Sequence, residues 1–201
     1  MRPPRPGCHF ANCGERFFVT TLDPCVNATS LSPQILPAGA EHLSAIAELA
    51  GVIWRACYPG IISHAQIEYM LARMYALEVL RDELRSQGIR YDRMLVEDGL
   101  VGFAAYGPTG APGVVKLHKL YLRSEFHGRG LGSRLLQHVE REVRRSGARQ
   151  LVLSVNRRNV KGIAAYRLNG FVITESVVTD IGGGFVMDDY VLAKDLTEVR
   201  S

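Results

Sequence analysis

Cysteine is scarce beyond the start of the chain: of four among 201 residues, Cys8, Cys13 and Cys25 fall in the first 25 positions and Cys57 stands alone after them. A disulfide-stapled extracellular domain would distribute its cysteines through the core. The pattern argues against that class and points to a reducing, cytoplasmic setting. Cys8, His9 and Cys13 do not match the spacing of a tetrahedral zinc site, so no metal is expected. Apolar runs are short, none approaching the roughly 20 residues that span a bilayer. The opening MRPPRPGCHFANCGERFF has arginines without the sustained apolar stretch of a secretory signal, and no membrane partner is expected. Tryptophan occurs once and aromatics make up 8% of the chain, with no Lys/Arg block interleaved among them. A nucleic-acid partner is therefore not expected either.

What remains is ordinary globular material, 47% hydrophobic and 22% charged, with a net charge of +4. A mildly positive balance suits a polyanionic small ligand as well as nucleic acid and does not choose between them. The length allows one domain with a substantial core and a short extension. Residues 1–32 lack helical periodicity and are expected to form a disordered extension; residues 33–197 form the domain.

Apolar residues at helical spacing (Leu43, Ile46, Ala50, Ile53, Trp54, Cys57) predict a first helix, broken at Tyr58-Pro59-Gly60. Ser63 is placed to cap a second helix carrying Ile67, Met70, Leu71 and Met74, and a third passes through Leu77, Leu80 and Leu84. The period then changes. Tyr91–Val96 and Leu100–Tyr106 read as a hairpin turned on Asp98-Gly99, followed by a strand from Val114 to Leu122. A helix from Leu131, a strand Leu151–Val155, a helix Val160–Leu168 and a closing hairpin over Gly182-Gly183-Gly184 complete the chain. This order describes an α/β fold, with a mixed, mostly antiparallel central sheet flanked by helices.

The segment His127-Gly128-Arg129-Gly130-Leu131-Gly132 follows a predicted strand and opens a helix. Glycines admit a close ligand, and the N–H groups at a helix start form an anion site. The glycine order is not that of a dinucleotide fold, and no Gly-Lys-Ser/Thr closes a P-loop. Here the chain resembles the GNAT N-acetyltransferase family, whose phosphate-loop pattern is Gln/Arg-x-x-Gly-x-Gly/Ala. Gly130 and Gly132 fill its last two fixed positions, and His127 departs from the first. Asn159, Ala164, Tyr166, Gly170 and Phe171 reproduce a second pattern of the same family, Asn-x4-Ala-x-Tyr-x3-Gly-Phe. The resemblance spans about Pro33 to Leu196. GGGFVMDDYVLAKDL and KLHKLYL are most similar to bacterial polyamine (spermidine/spermine-type) acetyltransferases of that family.

The resemblance implies a GNAT fold with a splayed strand pair for the pantetheine arm. It implies acetyl-CoA as co-substrate, an amine as acceptor, and direct transfer in a ternary complex. His127, Gly128, Arg129, Gly130, Leu131, Gly132 and Ser133 would hold the pyrophosphate. The backbone of Leu120, Tyr121 and Leu122 would pair with the pantetheine, and Asn159 would contact the cofactor. Tyr166 would protonate the departing thiolate, a role that suits a phenol beside a thiol of pKa ~8.5. His118, where several relatives carry glutamate and arylalkylamine acetyltransferases a histidine, would remove the amine's proton, the alternative being a structural histidine bonded to a neighbouring strand or loop. Uninterrupted alternation puts His118 on one face of its strand with Leu120 and Leu122.

Trp54, Tyr58, Glu68 and Tyr69 would fall along one wall of the acceptor site. Asp188 and Asp189 read as solvated charges that could also attract a cationic amine. Arg144, Arg145, Arg149, Arg157 and Arg158 read mainly as a solvated face, with a contact to the 3′-phosphate as a second role. A non-catalytic acetyl-CoA sensor or interaction module on the same fold is the rival reading, and a homodimer is left open.

Overall fold

Helices and strands form where the sequence changes period. The computed structural model describes residues 32–197, so the expectations for the N-terminal extension and for Cys8, Cys13 and Cys25 lie outside the described residues. Strands β1 (Gln34–Pro37), β2 (Arg90–Val96), β3 (Gly99–Pro108), β4 (Val114–Leu122), β5 (Gln150–Asn156), β6 (Val172–Gly182) and β7 (Phe185–Asp195) form one sheet in the order β1-β2-β3-β4-β5-β7-β6. Helices α1 (Leu43–Cys57), α2 (His64–Met74) and α3 (Leu77–Ser86) bury their apolar stripes against one face, with Tyr91, Phe103, Ala105, Tyr121 and Met187. Helices α4 (Leu131–Arg145) and α5 (Val160–Leu168) serve the other face. There Leu131, Leu135, Val139 and Val143 meet Leu117, Leu120, Leu151 and Leu192. Ser63 caps α2 as its position predicts, its hydroxyl accepting from the Gln66 amide at 3.2 Å.

The β2–β3 turn lies one residue earlier than the sequence suggests. Val96 pairs with Gly99, and the two loop residues are Glu97 and Asp98, at φ 50 and 63. Two left-handed residues give the type I′ twist that a two-residue hairpin needs.

Two irregularities in β4 position the site. Every sheet pairing is antiparallel except β4 with β5, which is parallel and spans three residue pairs, Val114↔Gln150, Val115↔Leu151 and Lys116↔Val152. Beyond Lys116 the two strands part. β4 stays bonded to β3 and β5 to β7, so a gap opens inside the sheet. The second irregularity is a bulge. Ala105 pairs with Lys119 but Tyr106 pairs with Leu117, leaving His118 as the extra residue. Leu117, Leu120 and Leu122 therefore share the α4–α5 face, and Tyr121 lies on the other. Uninterrupted alternation would put Leu117 with Lys119 and Tyr121; the bulge moves it to the face of Leu120 and Leu122. Beside the bulge, the buried Lys119 ammonium binds the Glu83 carboxylate at 2.5 Å and Tyr91 at 2.9 Å, fastening α3 to β4.

At the far end, Gly182 pairs with Phe185, and the turn residues Gly183 and Gly184 have φ 64 and 78. The Tyr69 ring of α2 packs on Phe185 and its hydroxyl donates to the Ile181 carbonyl at 2.8 Å. A Cβ at Gly183 would stand 2.8 Å from Tyr69 Cε2. Gly183→Ala is expected to cost about 2–3 kcal/mol, of which the left-handed backbone accounts for about 1–2 and the displaced ring for the rest. For a chain of this size that lowers Tm by roughly 4–10 °C, readable by scanning fluorimetry. An unchanged Tm would mean that Tyr69 does not hold the turn.

Candidate active site

β4 does not run straight into α4: a 3-10 turn, Ser124–Phe126, intervenes before His127. The His127 Nε2–H donates to the Leu122 carbonyl at 2.8 Å, tying the glycine turn to the end of β4. Gly128 and Gly130 follow at φ 72 and 73, and nothing lies within 4 Å of a Cβ built at either. Gly130 is the N-cap of α4. Among the described residues no side chain caps it, and no acidic residue stands in the first turn. The N–H groups of Leu131, Gly132 and Ser133 open a 15-residue helix and carry the positive end of its dipole. Arg129 lies over the Phe126 ring, and Ser133 accepts a hydrogen bond from the Asn169 amide at 3.1 Å.

Burial is the main influence on the His127 imidazole and pushes its pKa below the ordinary value, while the bond to Leu122 and the charge of Glu125 oppose this. The unfolded chain takes up a proton near pH ~6.5 and the folded chain only at lower pH. Stability present above that value is therefore lost as pH falls through the lowered folded value. In His127→Gln an amide can still donate to Leu122 without titrating. Between about pH 7 and about pH 5, Tm is expected to fall more steeply for the wild type than for this variant. Parallel slopes would show that His127 does not carry the acid sensitivity.

The gap is walled from both faces of the sheet. On one side stands α5, whose N-cap Asn159 accepts from the Gly162 amide at 3.0 Å. One α5 residue, Tyr166, is fully buried and sits edge-on to Phe171, with centroids 5.7 Å apart. On the other side Trp54 and Tyr58, at the end of α1, stack at 4.4 Å. Tyr121 lies 6.1 Å from Trp54, with Tyr75 and Phe103 behind it. The Tyr58 phenol is pushed well above its ordinary pKa, first by burial and further by Tyr75, Tyr166 and Asp189, with Tyr121 opposing. Leu120, Tyr121 and Leu122 have buried side chains, so it is their backbone that borders the gap.

The sequence reading is corrected at several positions. Glu68 is an exposed partner of Arg55, with both contacts at 2.7 Å, and Tyr69 serves the β6–β7 hairpin rather than the site. Arg144 and Arg145 lie at the far end of α4, about 20 Å from the glycine turn at 1.5 Å per residue. There they bind the Leu196 carbonyl and Glu142. Asp189 is only 6% exposed, not a solvated charge. Tyr75 and the side chain of Tyr121 were missed. The signal for Asp189 was available, since strand alternation puts it two residues from the buried Met187. Among the described residues no cluster of His, Cys, Asp and Glu could hold a metal ion, and no helix is long and apolar enough to cross a membrane.

A sheet opened between parallel strands, with an uncapped glycine turn next in the chain after β4, offers an elongated cleft and an anion site. The chain belongs to the acetyltransferase (GNAT) family, whose model matches residues 52–171, and it is an acetyl-CoA-dependent N-acetyltransferase. It is 30% identical over 162 residues to a spermidine N(1)-acetyltransferase of Thermoplasma acidophilum, covering 79% of this chain and 97% of that one. The crystal structure of PaiA N-acetyltransferase from the same organism, in complex with coenzyme A, matches with a TM-score of 0.70 and 25% identity, over 82% of this chain and 99% of that one. A GNAT acetyltransferase of Streptococcus pneumoniae shares the fold with a TM-score of 0.58 and 18% identity, over 82% and 99%.

Proposed function

We propose that this chain acetylates a primary aliphatic amine of polyamine type by direct transfer in a ternary complex, with residues 33–197 as the catalytic domain. The observation that carries the reading is the gap between β4 and β5, with Tyr166 on one side and Trp54, Tyr58 and Tyr121 on the other. The likeness to a spermidine N(1)-acetyltransferase over most of both chains supports a polyamine as acceptor.

Acetyl-CoA supplies the activated acetyl group. His127 and the turn from Gly128 to Ser133 hold its pyrophosphate through backbone N–H groups. The backbone of Leu120 to Leu122 receives the pantetheine as an added strand, and one of its N–H groups polarises the thioester carbonyl. Asn159 contacts the cofactor at the entrance to α5. His118, the extra residue of the β4 bulge, takes the proton of the amine directly or through a water. Tyr166 protonates the departing thiolate. The setting is the reducing cytoplasm, without nucleic-acid or membrane partners.

Thiol release measured over a panel of spermidine, putrescine, free lysine and a peptide with a free N-terminus tests the reading. Turnover with the polyamines well above the others is expected. Rates no higher with polyamines than with lysine or the peptide would overturn the choice of acceptor.

A further inference from the structure

The acceptor side of the gap contains a charged group that the transfer chemistry described above leaves unused. Along β7, Met187 packs into the α1–α3 layer, and Asp189, two residues on, points the same way with 6% exposure. Asp188 points the opposite way; its side chain is 49% exposed and lies 3.4 Å from Arg157. Asp189 pairs across the sheet with Asn156, the last residue of β5, and with Val177 of β6. Its carboxylate lies one strand across from the gap, on the face of the sheet that carries Tyr58, and its charge acts on that phenol. Tyr58 in turn stacks on Trp54, and Trp54 lies against Tyr121. The wall is fixed in place: the Arg158 guanidinium donates to the Gly60 carbonyl at 2.8 Å, clasping the loop after Tyr58 to the start of α5.

Aromatic faces attract cations through their quadrupole, and the attraction strengthens where water is excluded. A carboxylate in the same wall adds a full negative charge in a medium of low dielectric. A neutral amine gains little from either. Alkyl amines, with pKa values near the ~10.4 of lysine, arrive as ammonium ions.

We propose that Asp189, with the Trp54–Tyr58–Tyr121 wall, is the specificity-determining group of the acceptor site, receiving the amine as an alkylammonium ion. This deepens the acetyltransferase reading above and rests on it.

The test uses the full chain saturated with CoA, which carries no acetyl group, so that ligands bind without reacting. At neutral pH, n-butylammonium and 1-butanol have similar length and differ in charge. Calorimetric titration is expected to show the ammonium ion binding at least tenfold tighter to the wild type. In Asp189→Asn, which keeps the shape and removes the charge, that preference should vanish while CoA affinity stays within twofold. Asp188→Asn should retain it. In turnover, Asp189→Asn should raise the KM for the amine at least tenfold and change kcat less.

Equal affinity of the wild type for the two probes would overturn the proposal without any variant, as would a preference that survives in Asp189→Asn. A cation preference that Asp189→Asn abolishes, in a protein that acetylates no amine of the panel, would uphold Asp189 and sink the choice of acceptor. Acetylation of polyamines without a cation preference would do the reverse.

Discussion

Gly130→Glu is expected to weaken CoA binding at least 100-fold, about 2.7 kcal/mol, in a protein that still folds. Two effects act together. Gly130 has φ 73, where a side chain costs about 1–2 kcal/mol of backbone strain, which shifts the turn away from the geometry that aims its amides outward. The added carboxylate then competes for the N–H groups of Leu131 to Ser133 and repels the pyrophosphate from the positive end of α4. No atom lies within 4 Å of the new Cβ, so the substitution need not disturb the core. Gly130→Asn separates the two effects, because asparagine tolerates the left-handed region and brings no charge. Calorimetric titration should find its affinity within about tenfold of the wild type, the cost of ~1.4 kcal/mol at most. If both variants lose binding equally, backbone shape dominates; if Gly130→Glu binds CoA normally, the turn is not the phosphate site.

Tyr166→Phe is expected to lower kcat by roughly 10²–10⁴, the range for loss of a general acid, with the KM for acetyl-CoA within twofold. The ring keeps its edge-on contact with Phe171, so the fold should lose no more than about 1 kcal/mol, the worth of one hydroxyl hydrogen bond. The deficit should also depend on pH. A thiol of pKa ~8.5 needs a proton donor less as the solution rises past that value, so the variant's handicap should shrink in alkaline buffer. Stopped-flow thiol detection across pH reads both effects. A kcat equal to the wild type at neutral pH would remove Tyr166 from the mechanism, and a deficit constant with pH would mean that its hydroxyl acts on something other than the thiolate.

Much of the fold was legible because local chemistry decided it. The stripe from Leu43 to Cys57, the Ser63 cap and the glycines of the last hairpin each appear in the structure where their spacing puts them. The bulge at His118 was not legible for a physical reason: a bulge shifts register without marking its own strand, since it depends on how Ala105 and Tyr106 pair from the neighbouring one. The turn reads one residue late from the sequence, on Asp98-Gly99, because glycine is the usual bearer of positive φ, and here Gly99 opens the next strand instead. The glycine turn and Tyr166 were legible as contiguous motifs. The aromatic wall was legible only at Trp54 and Tyr58, because Tyr75, Phe103 and Tyr121 come from separate segments that tertiary packing alone brings together. Asp189 fell between the two cases: alternation marked it as inward-facing, but the general tendency of carboxylates toward water argued the other way.

The strand order has a consequence for how the chain is made. β7 lies between β5 and β6, so the last strand to leave the ribosome must be threaded between two that emerged before it. The antiparallel ladder from β1 to β4 joins neighbours in the sequence and can form while synthesis continues. The other half of the sheet has no such option. Until residues 185–195 appear, β5 and β6 lack the partner each bonds along most of its length, and the exposed valines of β6 face outward on an incomplete ribbon. A nascent chain stalled before Phe185 should therefore be a target for chaperones, and a ribosome that hurries through the final strand shortens that exposure.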